Sequence, residues 1–286
     1  MADITDLHMH SDASDGTLSP SQLAEAVYKS GIKAAALTDH DTVSGVAEFK
    51  QKCTQLGIQA VSGVEISAKY KTEMHILGLF IDENNPQLIK KLDELKQSRE
   101  NRNYEMLALA RKNGFDISEE DITGQKDGGK LSNTGRAHIA KAFVKKGYAD
   151  SIQDAFDKYL SKGKSCYISR KLFSPEESIQ LIKDAGGTAV LAHPYYITQN
   201  RDELYKLLVW LKSLGLDGVE SWYSKYPTEY RDLCLELCDE LSLISTGGSD
   251  FHADNKPDVK LGKACGDLDI PYYLFENLEK HIKNKP

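Results

Sequence analysis

The 286-residue chain has few cysteines, no long apolar run and no excess of positive charge, and each shortage excludes a class of protein. Its five cysteines are scattered without a Cys-x-x-Cys pair, which argues against a disulfide framework. No window approaches the roughly 18 to 20 consecutive apolar residues of a membrane span. The first ten residues carry acids and histidines where a secretory signal needs a basic start and an apolar run. We therefore expect a soluble, cytoplasmic protein.

Charge is distributed unevenly along the chain. The net charge of −7 at pH 7 argues against non-specific binding of duplex DNA by the whole surface. Between Arg99 and Lys171, however, 15 Lys and Arg residues stand against 10 Asp and Glu residues. The middle of the chain therefore differs in character from the acidic remainder.

Strand patterns alternate with helix patterns on both sides of this basic segment. Ser19-Pro20 with Gln22, and Ser174-Pro175 with Glu177, are typical of capped helix starts. Such alternation predicts a parallel sheet covered by helices, with ligands gathering beyond the carboxyl ends of the strands. Residues 115–163 show helix patterns only. The sequence thus predicts α/β segments at 1–98 and 169–286 around a basic helical insertion at 99–168.

Histidines follow the predicted strands. His8 and His10 project to the same side of the first strand because side chains alternate in β structure. Such a pair taken alone is as often solvated as it is metal-binding. Six of the eight histidines, however, lie at or near strand ends beside polar residues: His8, His10, His40, His75, His193 and His252. With Asp15, Glu65 and Asp250 they form nine nitrogen and oxygen donors without sulfur, which indicates a multinuclear site for Mn²⁺, Fe²⁺ or Zn²⁺.

Five segments, in order, resemble the successive motifs of the PHP (polymerase and histidinol phosphatase) phosphoesterases. They are DLHMHSDASDG at 6–16, LTDHD at 37–41, GVEIS at 63–67, AHP at 192–194 and GSDFH at 248–252. The resemblance covers both α/β segments. It implies a distorted seven-stranded β/α barrel that holds two to three divalent metal ions, with Mn²⁺ the first choice.

The resemblance also implies a ligand set for each ion. The first ion would be held by His8, His10, Glu65 and Asp250, the second by Asp15, His40 and His252, and the third by Glu65, His75 and His193. Glu65 would then bridge two ions. Some relatives have His in place of Asp15, and the carboxylate form belongs to the branch that acts on nucleotides.

This set of donors suits phosphoester hydrolysis without a side-chain nucleophile. Two divalent ions can activate a water molecule at neutral pH and neutralise the phosphoryl oxygens. Ser11, Ser14 and Ser249 lie among the ligands, where we expect loop or capping roles. Asp39 and Asp41 flank His40 and could orient a ligand or move a proton, although Asp41 could equally cap a helix.

The insertion carries a second resemblance. Residues 133–138 are similar to the Gly-Arg-x-His motif of PHP enzymes that remove phosphate from nucleoside 3′,5′-bisphosphates and trim short RNA from its 5′ end. This implies that Arg136 clamps a phosphate by bidentate hydrogen bonds. His138 could contact the substrate or cap the helix. Weaker candidates, each of which could equally be a solvated charge, are Arg99, Arg102, Arg170 and Lys171.

The sequence therefore predicts a metal-dependent phosphoesterase in which the insertion forms a lid over the substrate. We expect catalysis to depend on His8, His10, Glu65, Asp250 and Arg136. The substrate would be a phosphorylated small molecule or a short oligonucleotide, with neither duplex DNA nor a membrane as partner. Alternatives are a histidinol-phosphate phosphatase, an amidohydrolase and an inactive metal-binding scaffold. Asp15 and Arg136 argue against the first, the absence of a lysine at Glu65 against the second, and the complete donor set against the third.

Overall fold

The computed structural model describes residues 3–124 and 131–284. It divides into two compact units, an α/β unit of residues 1–92 and 172–286 and a helical unit of residues 93–171. Residues 125–130 of the predicted insertion lie outside the described residues. Among the residues that are described, no helix is long and apolar enough to cross a membrane.

The α/β unit contains a seven-stranded sheet that nearly closes into a barrel. In spatial order the strands are β1 (Ile4–Asp6), β2 (Ile32–Leu37), β3 (Gln59–Lys69), β4 (Glu73–Leu79), β5 (Thr188–Leu191), β6 (Gly218–Tyr223) and β7 (Ile244–Gly248). The ends of β1 and β7 meet where the amide of Leu7 donates to the carbonyl of Gly247 at 3.1 Å. The amide of Asp250 likewise donates to the carbonyl of His8 at 2.8 Å. The distorted β/α barrel that the sequence predicted is confirmed.

The prediction of a parallel sheet does not hold at β4. This strand pairs antiparallel with both β3 and β5. Only residues 70–72 separate β3 from β4, whereas a parallel pair needs a crossover of a dozen residues or more. His75 lies at the start of β4, opposite Ser67 of β3. It therefore reaches the barrel end at which the other strands have their carboxyl ends.

Helices cover the sheet and make up the second unit. Their bounds are α1 (Pro20–Lys29), α2 (Val46–Leu56), α3 (Pro86–Lys112), α4 (Glu119–Thr123), α5 (Arg136–Lys145), α6 (Ile152–Ala155), α7 (Pro175–Asp184), α8 (Arg201–Ser213), α9 (Thr228–Leu241) and α10 (Tyr273–Lys283). Short additional elements are a π-helical turn at Phe156–Leu160, 3-10 turns at Leu131–Asn133, Pro194–Tyr196 and Ala253–Asn255, and a hairpin of β8 (Lys263–Ala264) and β9 (Leu268–Asp269).

The two predicted helix starts are confirmed as capping boxes. Ser19 accepts from the amide of Gln22, whose side chain accepts from the amide of Ser19, and Ser174 and Glu177 repeat this pattern. Helix α2 begins at Val46, after a short turn. Thr42 accepts from the amide of Ser44 at 3.2 Å, and this local bond competes with the helix.

Each unit has its own apolar core. In the α/β unit, Leu23 of α1 and Phe49 of α2 pack with Leu37 of β2, and all three are fully buried. In the helical unit, Phe143 of α5 is fully buried in a cluster that includes Leu131 and Ile139. Burying a large apolar side chain contributes about 1.5–3 kcal/mol relative to exposure, so both cores favour folding. All five cysteines are free thiols, as the sequence predicted.

Candidate metal centre

All nine predicted donors belong to the α/β unit, and their side chains cluster at one end of the barrel. Three groups place their donor atoms within 4.8 Å of one another: His8, His10 and Glu65; His10, Asp15, His40 and His252; and His40, Glu65 and His75. His193 and Asp250 adjoin these groups, with His193 Nε2 2.9 Å from Glu65 Oε1 and Asp250 Oδ1 3.3 Å from His10 Nε2.

The first donor set surrounds a point between β1, β3 and β7. Glu65 Oε2 lies 3.4 Å from His8 Nε2 and 3.3 Å from His10 Nε2, and Asp250 Oδ1 lies 3.6 Å and 3.3 Å from the same two nitrogens. Ligand atoms bound at about 2.1 Å to one cation are spaced about 3.0–3.4 Å apart. The observed spacing is therefore close to that of a divalent cation site.

Several atoms of this centre are buried without a hydrogen-bond partner among the described residues. They are His8 Nε2, both ring nitrogens of His10, His40 Nδ1 and Glu65 Oε2. Leaving a buried polar atom unpaired costs about 1–3 kcal/mol, and more if it is charged. Each neutral imidazole offers one lone pair and each carboxylate oxygen can bind a cation, so the residues present fit a site for divalent metal ions.

The second donor set is built around Asp15. Its Oδ1 lies 3.2 Å from His252 Nε2 and 3.6 Å from His10 Nδ1, and its Oδ2 lies 3.7 Å from His40 Nε2. His10 presents its other nitrogen to the first set. The two sets are therefore adjacent, as multinuclear chemistry requires.

The third donor set joins Glu65 with His75 and His193. Glu65 Oε1 lies 2.9 Å from His75 Nδ1 and 2.9 Å from His193 Nε2, and these two nitrogens are 3.3 Å apart. The other oxygen, Oε2, faces His8, His10 and His40. Glu65 therefore has one oxygen in each of two donor sets, the geometry of a bridging carboxylate.

Close backbone packing and buried carboxylates fix the loops that carry these ligands. A Cβ on Gly248 would lie 2.1 Å from the Cβ of His8, so only glycine allows β7 to approach β1 there. Asp6 accepts from the amide and hydroxyl of Ser249 at 2.9 Å and 2.6 Å. Burial raises the pKa of Asp6 to about 6, although the hydrogen bonds from Ser249 favour its ionised form. These contacts hold Asp250 in its left-handed conformation, at a φ of 58°.

Asp39 anchors the loop that carries Asp15. It accepts from the amide and hydroxyl of Ser11 at 2.8 Å and 2.6 Å and from the hydroxyl of Ser14 at 2.6 Å. The two hydroxyls are therefore used in the loop. Asp41 accepts from the amide of Ser67 at 2.9 Å, which links the end of β2 to β3. Asp41 does not cap α2, whose N-cap is Gly45.

Electrostatics in the cluster favour charged carboxylates. Burial opposes ionisation of Glu65, Asp15 and Asp250, but neighbouring histidines, and Lys256 beside Asp250, hold each pKa well below its usual range. Burial and the nearby His252 lower the pKa of His10 to about 4, which leaves its ring neutral near pH 7. Ionised carboxylates and neutral imidazoles are the ligand forms of these side chains.

For two other histidines of the cluster, neighbouring carboxylates favour the charged form and raise the pKa. Burial disfavours the charged form of His75, but Glu65 outweighs it and raises the pKa to about 10. The carboxylates of Glu220 and Glu65 likewise outweigh burial and raise the pKa of His8 well above its usual value. Protons and cations therefore compete for the same nitrogens.

Sequence reasoning missed three residues that contact the ligands. Glu220 is fully buried on β6, lies 2.8 Å from His8 Nδ1 through Oε1, and accepts from the amide of His193 at 2.8 Å through Oε2. Tyr223 donates to Asp250 Oδ2 at 2.8 Å, and Lys256 Nζ pairs with the same oxygen. Glu220 lies inside the buried strand β6, directly after Gly218 and Val219, and an acid within a buried strand is a signal that could have found it.

A cavity of about 240 Å³ opens beside the third donor set. Its walls combine ligand side chains with two cations and two phenols: His40, Glu65, His75, His193, Asp250, Lys225, Lys256, Tyr196 and Tyr223. Positive groups next to a cluster of metal ligands suit an anionic substrate.

The predicted substrate-binding residues belong to the helical unit. Arg136 is the first residue of α5, and its guanidinium lies 5.9 Å from the ring centre of Tyr167. His138 Nδ1 accepts from the amide of Gly135 at 3.2 Å and so caps this helix. Arg99 and Arg102 are buried on α3. The other two candidates, Arg170 and Lys171, line a groove with Arg102.

The chain is similar to several known proteins. A model of the PHP domain matches residues 6–169. A 5′-3′ exoribonuclease of Haemophilus influenzae is 34% identical over 86% of this chain and 89% of its own. A 3′,5′-nucleoside bisphosphate phosphatase of Chromobacterium violaceum is 32% identical over 99% of this chain and 98% of its own.

A solved structure from Chromobacterium violaceum, described as an amidohydrolase with bound sulfate and no metal, is also similar. It superposes with a TM-score of 0.85 over 96% of both chains, at 29% identity. The family model matches more than half of the chain, and the two relatives cover most of it. The chain therefore belongs to the PHP-domain family.

Proposed function

We propose that this protein is a metal-dependent phosphoesterase that removes the 3′-phosphate of nucleoside 3′,5′-bisphosphates and trims short 5′-phosphorylated RNA from its 5′ end. The observation that carries this proposal is the clustering of nine nitrogen and oxygen donors near Glu65, in which atoms of His8, His10, His40 and Glu65 are buried without a hydrogen-bond partner among the described residues. Two to three divalent cations, of which Mn²⁺ is our first choice, would be held by His8, His10, Asp15, His40, Glu65, His75, His193, Asp250 and His252.

Relatives of this chain support the choice of substrate. One is named for the 5′-3′ degradation of RNA and one for nucleoside 3′,5′-bisphosphates. A single reaction unites the two activities. Water attacks the phosphorus on O3′ of a 5′-phosphorylated nucleotide, the O3′–P bond breaks, and O3′ leaves with a proton. The phosphorus carries a second nucleotide in RNA and none in the bisphosphate.

The metal donors and the residues beside them would have different roles in this reaction. Bound divalent cations would supply water activation and charge neutralisation for the phosphoryl oxygens. Lys225 and Lys256 line the cavity beside the ligands and would attract the phosphate. Lys256 stays protonated because Asp250 outweighs the effect of burial and raises its pKa. Tyr223 and Lys256 both contact Asp250 Oδ2, and so fix the direction of its other oxygen.

We assign recognition of the 5′-phosphate to the helical unit on the basis of its Gly-Arg-x-His motif at residues 133–138. Arg136 would bind that phosphate by bidentate hydrogen bonds. Arg99, Arg102 and Arg170 are the further candidates for binding the substrate. His138 caps α5 through Nδ1 and is a further candidate for contacting the substrate.

Two other reactions are less well supported. Histidinol-phosphate hydrolysis is not favoured, because the relatives reported above are named for nucleotide or RNA substrates. Amide hydrolysis has the description of one structural neighbour in its favour. An amidohydrolase would usually place a modified lysine where Glu65 stands, however, and would lack the closing Asp250-x-His252 pair.

A substrate panel assayed with Mn²⁺ tests the proposal. It comprises a nucleoside 3′,5′-bisphosphate, a 5′-phosphorylated tetranucleotide, histidinol phosphate and dihydroorotate. We expect the first two to yield a nucleoside 5′-monophosphate, with ¹⁸O from labelled water in the released phosphate or on the new 5′-phosphate. Preferred hydrolysis of histidinol phosphate, or hydrolysis of the amide alone, would overturn it.

A further inference from the structure

A second and larger cavity, of about 480 Å³, lies on the α/β unit. Its walls come from the turn between β3 and β4, from the segment that follows His193, and from α8. The lining includes Tyr70, Lys71, Thr198, Glu203, Lys206 and Trp210. None of these residues is a metal donor or has a part in the mechanism proposed above.

An aromatic pair forms one wall of this cavity. The rings of Tyr70 and Trp210 stack with centroids 5.6 Å apart and an interplanar angle of 27°. Trp210 is 39% exposed, so part of its ring is open to solvent. Lys71 and Lys206 bring two cations to the lining of the same cavity. Exposed aromatic rings flanked by cations are the surface that binds single-stranded nucleic acid, because bases stack on the rings and phosphates meet the cations.

The cavity is continuous with the segments that carry the third donor set. Thr72 on its wall precedes His75 by three residues, which is about 10 Å along an extended chain. Thr198 on the opposite wall follows His193 by five residues, through one 3-10 turn. A strand with its reactive phosphate at the metal donors could therefore continue into the cavity.

The acidic side chain of Glu203 also lines the cavity, and its negative charge disfavours a phosphate close to it. The carboxylate of Glu203 accepts a hydrogen bond from the hydroxyl of Thr198 at 2.7 Å. The Lys71 ammonium lies 5.8 Å from the ring centre of Tyr70, on the aromatic wall. The charges thus favour a base on the rings and a phosphate near the lysines.

We infer that this cavity binds the nucleotides that follow the scissile phosphate in an RNA substrate. This rests on the proposed function, and it makes the cavity the feature that distinguishes the two substrates. An oligonucleotide reaches the cavity with its second and third nucleotides. A nucleoside bisphosphate ends at the reactive phosphorus and does not reach it.

Removing one ring tests the inference by activity. Trp210→Ala should raise KM for a 5′-phosphorylated tetranucleotide about tenfold, since one base–aromatic stack is lost. Its kcat/KM for the nucleoside bisphosphate should stay unchanged, and Trp210→Phe should restore most of the oligonucleotide KM. Tyr28→Ala is the matched control, because Tyr28 is 57% exposed near the end of α1, just before β2 begins. Equal losses on both substrates, or none on either, would overturn the inference.

Binding measured without turnover separates this inference from the proposed function. A tetranucleotide with phosphorothioate linkages should quench tryptophan fluorescence in the native protein, and Trp210→Ala should abolish this quenching. If the native protein hydrolyses neither nucleotide substrate, the proposed function fails while quenching still decides the cavity's role. If oligonucleotides are hydrolysed but quenching is absent or survives in Trp210→Ala, the cavity assignment fails and the proposed function stands.

Discussion

Charged side chains have different surroundings at the barrel end and in the helical unit. At the barrel end, histidines and carboxylates are buried, face one another, and leave lone pairs unsatisfied. In the helical unit, the described side chains near the predicted phosphate clamp include a helix cap made by His138 and a ring contact made by Arg136. A buried charge is costly unless it is paired or bound to metal, so the first arrangement indicates a cation site from geometry alone. In the helical unit, the contacts alone do not indicate a function, and the proposed role of Arg136 comes from the Gly-Arg-x-His motif.

Metal removal should produce the largest difference between the barrel end and the helical unit. We expect exhaustive chelation to abolish phosphoester hydrolysis and to lower the melting temperature, because the donors lose the ion that compensates their burial. Hydrogen exchange should rise in β1 and β3 and stay nearly constant in α5. Added Mn²⁺ should restore both activity and protection. Full turnover in protein shown by elemental analysis to be metal-free would contradict the proposed centre.

Asp250→Asn should reduce kcat by about 10³-fold or more while the barrel remains folded. Asparagine tolerates the left-handed backbone at this position but lacks the charge that a cation needs. Asp254→Asn, at an exposed position four residues later, is the matched control and should retain activity. His10→Ala should behave like the Asp250 variant. Retained turnover with normal metal content in Asp250→Asn would argue against its role as a ligand.

Glu220→Gln should have an intermediate effect. It keeps the shape of the side chain that contacts His8 Nδ1 and the amide of His193, but removes its charge. Loss of a residue that hydrogen-bonds to a metal ligand typically lowers metal affinity or activity by about 10–100-fold. Metal titration followed by activity measures the change, and Glu229→Gln on α9 serves as the control. Unchanged metal affinity would show that Glu220 only supports packing.

Arg136→Ala should have the smallest effect, and it should appear in KM. Because this variant loses a hydrogen-bonded contact with a charged phosphate, we expect KM for 5′-phosphorylated substrates to rise about tenfold or more, with kcat nearly unchanged. Arg136→Lys should recover only part of it, because lysine lacks the bidentate fork. Substrates without a 5′-phosphate should not distinguish these variants, and Lys145→Ala is the control. An equal effect on substrates with and without that phosphate would remove the proposed clamp.

Local sequence signals predicted much of the chain correctly. The Ser-Pro starts of α1 and α7 are visible in four residues each, because a capping box involves only neighbouring positions. The barrel followed from resemblance, since five ordered motifs are far more specific than any periodicity. The antiparallel direction of β4 was missed, although the short link between β3 and β4 was a signal for it.

The amino-acid sequence by itself determined which residues are metal donors, where two helices start and which family the chain resembles. Each of these depends on short motifs of neighbouring residues. Only the tertiary structure decided which donors share an oxygen of Glu65, that Glu220 supports His8, and that Tyr70 stacks on Trp210. These contacts join residues from ten to 212 positions apart. Their geometry depends on strand direction, close approach at Gly248 and burial, which no local pattern encodes.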